Sequence, residues 1–568
     1  MYMKSISIST LLLCLAVHQW ITAQEIPVPV GVKEIPKGWH HLDKSSTGFW
    51  GISLDKAYSF LKETNKKSKQ VIVAVIDSGI DTLHEDLKTV LWKNPGEIAN
   101  NNKDDDKNGY IDDLYGWNFI GGKNGENVIK DSYEAARVYH RFKQAYDSID
   151  PALVKFNAEG FARFEMWQRA KQEIVQGSES GAELIMLKRI YSNLLKSDSI
   201  LRKCLGKDTF LGKEIATLTV TEADHKKAKN ALYNLMSNND ALEVTNISFI
   251  AELRAYLDGL ESKSKAADQA PFPYRSSIVK DNYDDIYDKY YGNNNVMANL
   301  ETALHGTHVS GIIGAIRGNE KGVDGVADNV SIMTIRAVPD GDEHDKDIAL
   351  AIRYAVDNGA QLINMSFGKS FSPEKKWIDD AVAYAAEKDV LLIHAAGNDG
   401  KNLDSTHNYP TSKFLNQNRA TNWITVGASG DSLAGGITAG FSNYGKGEVD
   451  VFAPGVKIYS TAPGNDKYQF LQGTSMAAPV VAGLAALLLE YYPTLSATQL
   501  KDVIERSAIP LADSVRTPGT GTLTTLGQLA KTGGIINAFE AVKLAATIKG
   551  ERKITAKLPA NSKKSKGF

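Results

Sequence analysis

The stretch QVIVAVID, residues 70–77, is a continuous β-branched run of strand length that ends in an acid. An apolar run without polar alternation suits a parallel strand buried on both faces. Runs of the same kind recur as VSIMTIRAV, QLINMSF, DVLLIHAAG, WITVGA and VDVFAP. Between several of them lie helical patterns such as DKDIALAIRYAVDNGA and KKWIDDAVAYAAEKD. This alternation predicts an α/β fold, a parallel sheet flanked by helices.

Length and composition allow such a fold with room for additions. The chain has 568 residues, 43% hydrophobic and 23% charged, with a formal net charge of −2. Nothing in that balance points to nucleic acid or to an anionic membrane surface as a partner. The first residues, MYMKSISISTLLLCLAVHQWITAQ, place Lys4 before an apolar run that ends at Ile21-Thr22-Ala23, the pattern of an export signal over residues 1–23. Export to the periplasm, cell surface or medium is therefore expected. Lipid anchoring at Cys14 is disfavoured by the bulky Leu13 before it, and no later stretch reaches the length of a stable membrane span. Without the signal, Cys204 is the only cysteine, so no intrachain disulfide is available.

Residues 24–50 read as a short arm, docked as an extended strap, and residues 51–124 as the first part of the main domain. From about Gly125 to Ala267 the strand pattern stops and charged helical segments take over. Leu184, Leu187, Tyr191, Leu194 and Leu201 form one apolar stripe, and Leu242, Phe249, Leu253, Tyr256 and Leu260 another. Residues 125–290 thus read as a helical insertion with a Tyr/Asn-rich connector, and residues 291–545 as the second part of the main domain. The tail, 546–568, is basic and reads as a solvated end.

LQGTSMAAPVVAGLAALLLEYYP, residues 471–493, sets a hydroxyl pair at the head of a helix apolar nearly all round, which belongs inside a protein. Ser475 there lies beside unpaired backbone N–H groups and the positive end of the helix dipole. A serine nucleophile also needs a base, a group that orients the base, and donors for the oxyanion. LHGTHVSGIIGA supplies His305, AVIDSGID supplies Asp77 at a strand end, and IHAAGNDG supplies Asn398 at another. Each has a plainer reading alone: an N-cap serine, a metal pair of His305 with His308 or a buried structural histidine, a turn carboxylate, a turn-forming asparagine. Zinc hydrolysis is disfavoured because HGTH lacks the glutamate between histidines four apart.

Taken together, AVIDSGID, HGTHVSG, AAGN and GTSMAAP, in the chain order Asp, His, Ser, resemble the subtilisin-like serine peptidases, peptidase family S8. NMSFG, FSNYG and FAPGV add weaker matches. The resemblance implies a subtilisin-like sheet interrupted by the all-α insertion between the Asp and His motifs. It implies an exported serine endopeptidase acting on proteins or peptides through an acyl-enzyme, with Ser475 as nucleophile, His305 as base and then acid, Asp77 orienting the imidazole and Asn398 as oxyanion donor. His308 is then structural. Ser366, Phe367 and Gly368 would form one wall of a groove that binds peptide as an added strand. Across it, the acids Asp342, Glu343 and Asp345 of VPDGDEHDKD would favour basic residues upstream of the cut, unless that loop is merely solvated.

No catalytic cofactor is expected, but a structural Ca²⁺ is. NNKDDDKNGYIDDLYGWNF carries Asp104, Asp106 and Asn108 at alternating positions, then Gly109 and Asp112, an arrangement similar to a calcium loop. The bidentate glutamate of an EF-hand is missing, its place taken by Tyr115. Asp86, in HEDL, resembles a ligand of another family calcium site. Two features depart from the family. Asp77 and His305 are far apart in the chain, so that the insertion is expected to act as a lid or substrate-selecting module. The span between signal and catalytic strand is too short for the usual folding-assisting propeptide. The competing reading is a catalytically silent scaffold that binds proteins through its helices; four intact site residues argue against it. Oligomeric state is open.

Overall fold

The computed structural model describes residues 35–149, 157–179, 181–239, 241–242, 244–431, 434–464 and 466–553. The signal, Cys14 and most of the basic tail lie outside them. Within the body, in chain order, run helix α1 (Leu54–Glu63) and strands β1 (Val71–Asp77) and β2 (Gly116–Asn118). Seven helices follow among the described residues: α2 (Glu134–Tyr146), α3 (Ala158–Glu179), α4 (Gly181–Leu205), α5 (Gly212–Thr217), α6 (Ala223–Asn238), α7 (Asn246–Lys265) and α8 (Tyr274–Val279). The body resumes with α9 (Leu304–Gly314), β3 (Val330–Arg336), α10 (Asp345–Asp357), β4 (Leu362–Met365), α11 (Lys375–Glu387), β5 (Leu391–Ala395), β6 (Trp423–Asp431), β7 (Ala434–Thr438) and β8 (Val451–Pro454). It closes with the hairpin β9 (Ile458–Ala462) and β10 (Lys467–Leu471), helices α12 (Thr474–Tyr491), α13 (Ala497–Ser507) and α14 (Ala538–Ala545), and short strands between the last two.

The β-branched runs assemble in the order β8-β6-β5-β4-β1-β3-β2, every neighbouring pair parallel, with antiparallel additions only towards the β8 edge and at β7. On one face lie α9 and α12 with α1, α13 and α14; α10 and α11 cover the other. Both faces are therefore buried, which is why these strands carry no polar alternation. Helix α12 has the length and apolarity of a membrane span, but 89% of that window is buried inside the fold. The arm does not run as an extended strap throughout: it contains a 3-10 turn, Trp39–His41, with the Trp39 indole fully buried and donating to the Val456 carbonyl.

The helical excursion leaves and re-enters the body at one place. Asn118 N–H donates to the Asn293 carbonyl at 2.9 Å, and Asn293 N–H returns the bond at 3.1 Å. Within it, α4 to α7 share their own core of Leu194, Leu201, Ile215, Leu232, Met236, Phe249 and Leu253. Helices α2 and α3 instead pack on the body, with Val138, Phe164 and Trp167 in one cluster with Phe371.

Candidate active site

Parallel strands deliver side chains at their carboxyl ends, where the polypeptide turns away and leaves room for a ligand. Asp77 ends β1, buried, and accepts from Ser78 N–H at 2.7 Å. His305, the second residue of α9, places Nδ1 2.8 Å from Asp77 Oδ1 and 3.0 Å from Oδ2. With Nδ1–H donated to the carboxylate, Nε2 is left as the basic nitrogen. The close approach of α9 to β1 depends on Gly306, where an added Cβ would collide with the Gly79 carbonyl and crowd Asp77.

Ser475 is the second residue of α12, among the backbone N–H groups that no helical carbonyl satisfies. Its hydroxyl donates to the Ser366 carbonyl at 3.1 Å and not to the His305 imidazole. The Ser475 carbonyl would ordinarily bond the N–H four residues on, but that residue is Pro479. The Ser366 hydroxyl takes the vacated acceptor instead, at 3.0 Å. A helix-interior proline thus ties the serine to the end of β4. The neighbouring Asn398 presents Oδ1 to Thr474 N–H (2.8 Å) and Thr474 Oγ1 (2.9 Å). Because a backbone N–H can only donate, that atom is the amide oxygen, and Nδ2 is directed elsewhere. A buried threonine therefore orients the asparagine, a role the sequence reading missed although Thr474 stands in its central motif.

His308 donates Nε2–H to the Gln469 carbonyl at 3.0 Å, fully buried, and burial lowers its pKa to about 3. It pins the β9–β10 hairpin. Phe367 offers its carbonyl to His394 Nε2 at 2.8 Å, and Gly368 follows it in a segment whose next residue, Lys369, pairs with Tyr409 through two backbone bonds of 3.0 and 2.8 Å. Arg336, at the end of β3, is another residue that sequence motifs did not signal. Buried, it donates to the carbonyls of Ser78 and Val128 and to Asn118 Oδ1, and burial lowers its pKa to about 9.

The acidic loop departs from expectation. Asp342, Glu343 and Asp345 are 7%, 2% and 1% exposed and face the insertion, not an open groove. Asp342 caps Glu134 N–H at 2.8 Å. Asp345 lies 2.8 Å from Lys369 Nζ and accepts from Ser372 and from Glu374 N–H. Arg137 of α2 donates to the carbonyls of Asp342 and Glu343. Burial pushes Glu343 up to about 7, against the pull of Lys369. The expected attraction to basic substrate residues is corrected accordingly: Asp342 is engaged with the head of α2, Asp345 with Lys369, Ser372 and Glu374, and Glu343 is buried.

The acidic loop at 104–113 is folded on its own carboxylates. Asp104 accepts from Asn108 and Gly109 N–H, and Asn108 Oδ1 from Tyr110 N–H. Asp112 turns both oxygens to the N–H groups of Asn101 and Asn102. Its φ of +53° reverses the backbone there, so the next residue faces the interior. Glu97, Asp106 and Asp113 are the carboxylates that converge, with oxygens within 4.8 Å of one another, the one such group of three among the described residues. Burial raises Glu97 and Asp113, and Glu97 Oε2 is buried without a hydrogen-bond partner. An all-oxygen set with uncompensated charge suits a hard cation such as Ca²⁺. Asp86 is fully buried and bonded to Asn319 Nδ2 at 2.6 Å and to the Tyr468 hydroxyl at 3.3 Å.

Residues 68–533 match the family described as the Subtilase family. A thermophilic serine proteinase of Bacillus sp. (strain AK1) is 42% identical over 243 residues, 42% of this chain and 52% of that protein. Subtilisin DY of Bacillus licheniformis is 40% identical over 37% of this chain and 72% of its own length. Thermitase of Thermoactinomyces vulgaris is 34% identical over 47% of this chain and 85% of its own. The first of these relatives is thus spanned over only about half of its length. A parallel sheet with His305 bonded to Asp77 at the end of β1, and Asn398 bonded to Thr474 at the head of α12, in a chain matched over most of its length, identifies this protein as a member of the subtilase family.

Proposed function

We propose that the protein is an exported serine endopeptidase that cleaves peptide bonds of proteins. The observation that carries this reading is the double approach of His305 Nδ1 to both Asp77 oxygens, which leaves Nε2 free to act as base. Rotation about the Ser475 Cα–Cβ bond moves Oγ from the Ser366 carbonyl to His305 Nε2; in unliganded sites such contacts commonly tighten only with substrate. Oγ then attacks the scissile carbonyl carbon as Nε2 takes its proton. Negative charge collects on the carbonyl oxygen, between Ser475 N–H and Asn398 Nδ2. As the C–N bond breaks, Nε2 returns the proton to the leaving amine, and water hydrolyses the acyl-enzyme by the same route. Peptide would lie along Ser366, Phe367 and Gly368 as an added strand.

Labelling of the purified chain with a fluorophosphonate, beside Ser475→Ala, tests this. Labelling that vanishes in the variant supports the reading. A folded chain that does not label shifts it to the alternative, a silent scaffold that binds proteins through its helices.

We further propose that Ca²⁺ is bound structurally at the 104–113 loop, with Asp106 joined by Glu97 and Asp113, and with Asp104, Asn108 and Asp112 shaping the backbone around it. The helical insertion is proposed to screen the groove: α3 holds Arg169 over the ring of Phe371, three residues beyond Gly368.

A further inference from the structure

The chain turns away from β1 through Ser78, and every polar group of that residue is engaged. Its N–H donates to Asp77 Oδ1 at 2.7 Å, its hydroxyl donates to the Thr302 carbonyl at 2.6 Å, and its carbonyl accepts from Arg336 Nε at 2.9 Å. Thr302 precedes α9, whose second residue is His305. Ser78 therefore sets the carboxylate directly, and the approach of the imidazole through the chain that leads into α9.

Arg336 stands beside Asp77 in the β1–β3 ladder, the two being partners at the last position of the register. Its side chain is fully buried, and among the described residues no carboxylate is bonded to it. What it holds instead lies on the insertion. Nη1 donates to Asn118 Oδ1 at 3.2 Å and Nη2 to the Val128 carbonyl at 2.6 Å, both on the outgoing leg. Asn118 is bonded in turn to the returning leg, through Nδ2 to Asn293 Oδ1 at 3.0 Å as well as through the two backbone bonds. The planar fork thus reaches in three directions at once, to the turn behind Asp77 on one side and to the roots of the insertion on the other. A lone buried cation is costly to keep, and closing the sheet edge alone requires no charge there.

We propose that Arg336 is a positioning residue through which the seating of the helical insertion sets the Asp77–His305 geometry, and with it turnover. This inference rests on the serine-peptidase reading of Ser475. When the outgoing leg shifts, the fork gives up the Ser78 carbonyl, the Ser78 N–H loses its aim at Asp77 Oδ1, and the His305 ring follows the carboxylate. A misplacement of about 1 Å at reacting groups costs about 10² in rate, so a loose root acts on kcat without altering where peptide binds. The route runs through the legs at Asn118, Val128 and Asn293 and not through the core of α4 to α7, so those helices can be excised without breaking it.

The test is a double-mutant cycle on the full chain: Arg336→Gln, Asn293→Ala and the two together. Each is measured for kcat and KM on a small amide peptide, for melting temperature, for fluorophosphonate labelling and for the low-field proton resonance of His305 Nδ1–H. Beyond its own turn, the side-chain bonds of Asn293 go to Asn118, Gly122, Glu126 and Asn127, all on the outgoing leg. Arg336→Gln is expected to lose kcat by about 10- to 10²-fold with KM within about twofold. Asn293→Ala is expected to lose about threefold, and the double variant no more than Arg336→Gln alone, because the route is already cut. The His305 resonance shifts in both single variants. Folded variants that keep the parental kcat overturn the inference, as do losses that multiply in the double variant; a merely structural arginine would lower the melting temperature and leave kcat and the resonance in place. Where Arg336→Gln does not fold, Asn293→Ala decides alone, and parental kcat with an unmoved resonance overturns the inference. A parent that fails to label removes the serine-peptidase reading itself, whereas a labelled parent with unaffected variants removes only the role of Arg336.

Discussion

Lys369, the residue after the Ser366–Gly368 segment, holds its ammonium 2.8 Å from the carboxylate of Glu134, at the head of α2, with both side chains buried. The same ammonium lies 2.8 Å from Asp345. Burial opposes both charges, yet Asp345 and Glu134 hold Lys369 above the ordinary lysine range while Arg137 and Lys369 hold Glu134 below the carboxylate range. One side chain thus joins the proposed groove wall to the insertion and to the loop across from it. Lys369→Met leaves two buried carboxylates short of a counter-charge and is expected to destabilise the protein by about 3–5 kcal/mol, read by urea unfolding. A loss below about 1 kcal/mol would mean that water replaces the ammonium without difficulty.

Oxyanion donors of this kind are worth roughly 10² to 10³ in turnover, a magnitude established on subtilisins rather than drawn from this geometry. Asn398→Ala is therefore expected to fold, to bind peptide with little change in KM, and to lose turnover by that factor. Equal kcat in variant and parent would take Asn398 out of the proposed mechanism. Thr474→Val, which removes one of the two bonds to Asn398 Oδ1, is expected to lose a smaller part.

Glu343 has its pKa raised by burial from 4.5 to about 7, so the fold prefers it protonated. Between these values the unfolded chain releases a proton that the folded chain retains, and stability falls as pH rises until about 7 is passed. Glu343→Gln is expected to flatten that decline and to gain on the order of 2 kcal/mol over the parent at pH 8, with no gain at pH 4. Melting temperature against pH for the two proteins is the measurement; parallel curves would show that Glu343 ionises freely in the fold.

Glu97 and Asp113 are likewise pushed up by burial, so without a cation the fold loses stability as pH rises through their titration. Added Ca²⁺ is expected to raise the melting temperature at neutral pH and chelator to lower it, both responses shrinking in Asp113→Asn. A melting temperature indifferent to chelator would remove the ion from this loop.

Helices α4 to α6 share a core with α7 and not with the sheet. Excising 181–242 behind a short Gly/Ser linker is expected to leave small-peptide kcat/KM within a few-fold while speeding cleavage of folded proteins, if these helices screen the groove. Unchanged selectivity between peptides and proteins would refute the screening role.

How much of this was legible in the sequence varies with the range of the interaction. β1, β3, β4, β5, β6 and β8 could be read because burial on both faces leaves uninterrupted apolar runs. The position of Ser475 followed from a helix without a polar face. Within the acidic loop, alternation suggested Asp112, but a left-handed residue resets the direction of every following side chain, and Asp113 is the one turned inward. The burial of Asp342 was hidden because its partner at the head of α2 lies 208 positions away in the chain, and that of Asp345 because Lys369, Ser372 and Glu374 reach it only in the fold.

The reciprocal bonds of Asn118 and Asn293 bear on how the chain reaches this state. They join residues 175 apart, and as a flexible loop that stretch would oppose closure by about 4–5 kcal/mol of chain entropy. Helices α4 to α7, folding first on their own core, take residues 181–265 out of the free chain and leave roughly 90 residues, where the same cost is about 4 kcal/mol. A mutation that weakens the α4–α7 core is expected to slow the meeting of Asp77 with His305 during refolding, although it touches neither.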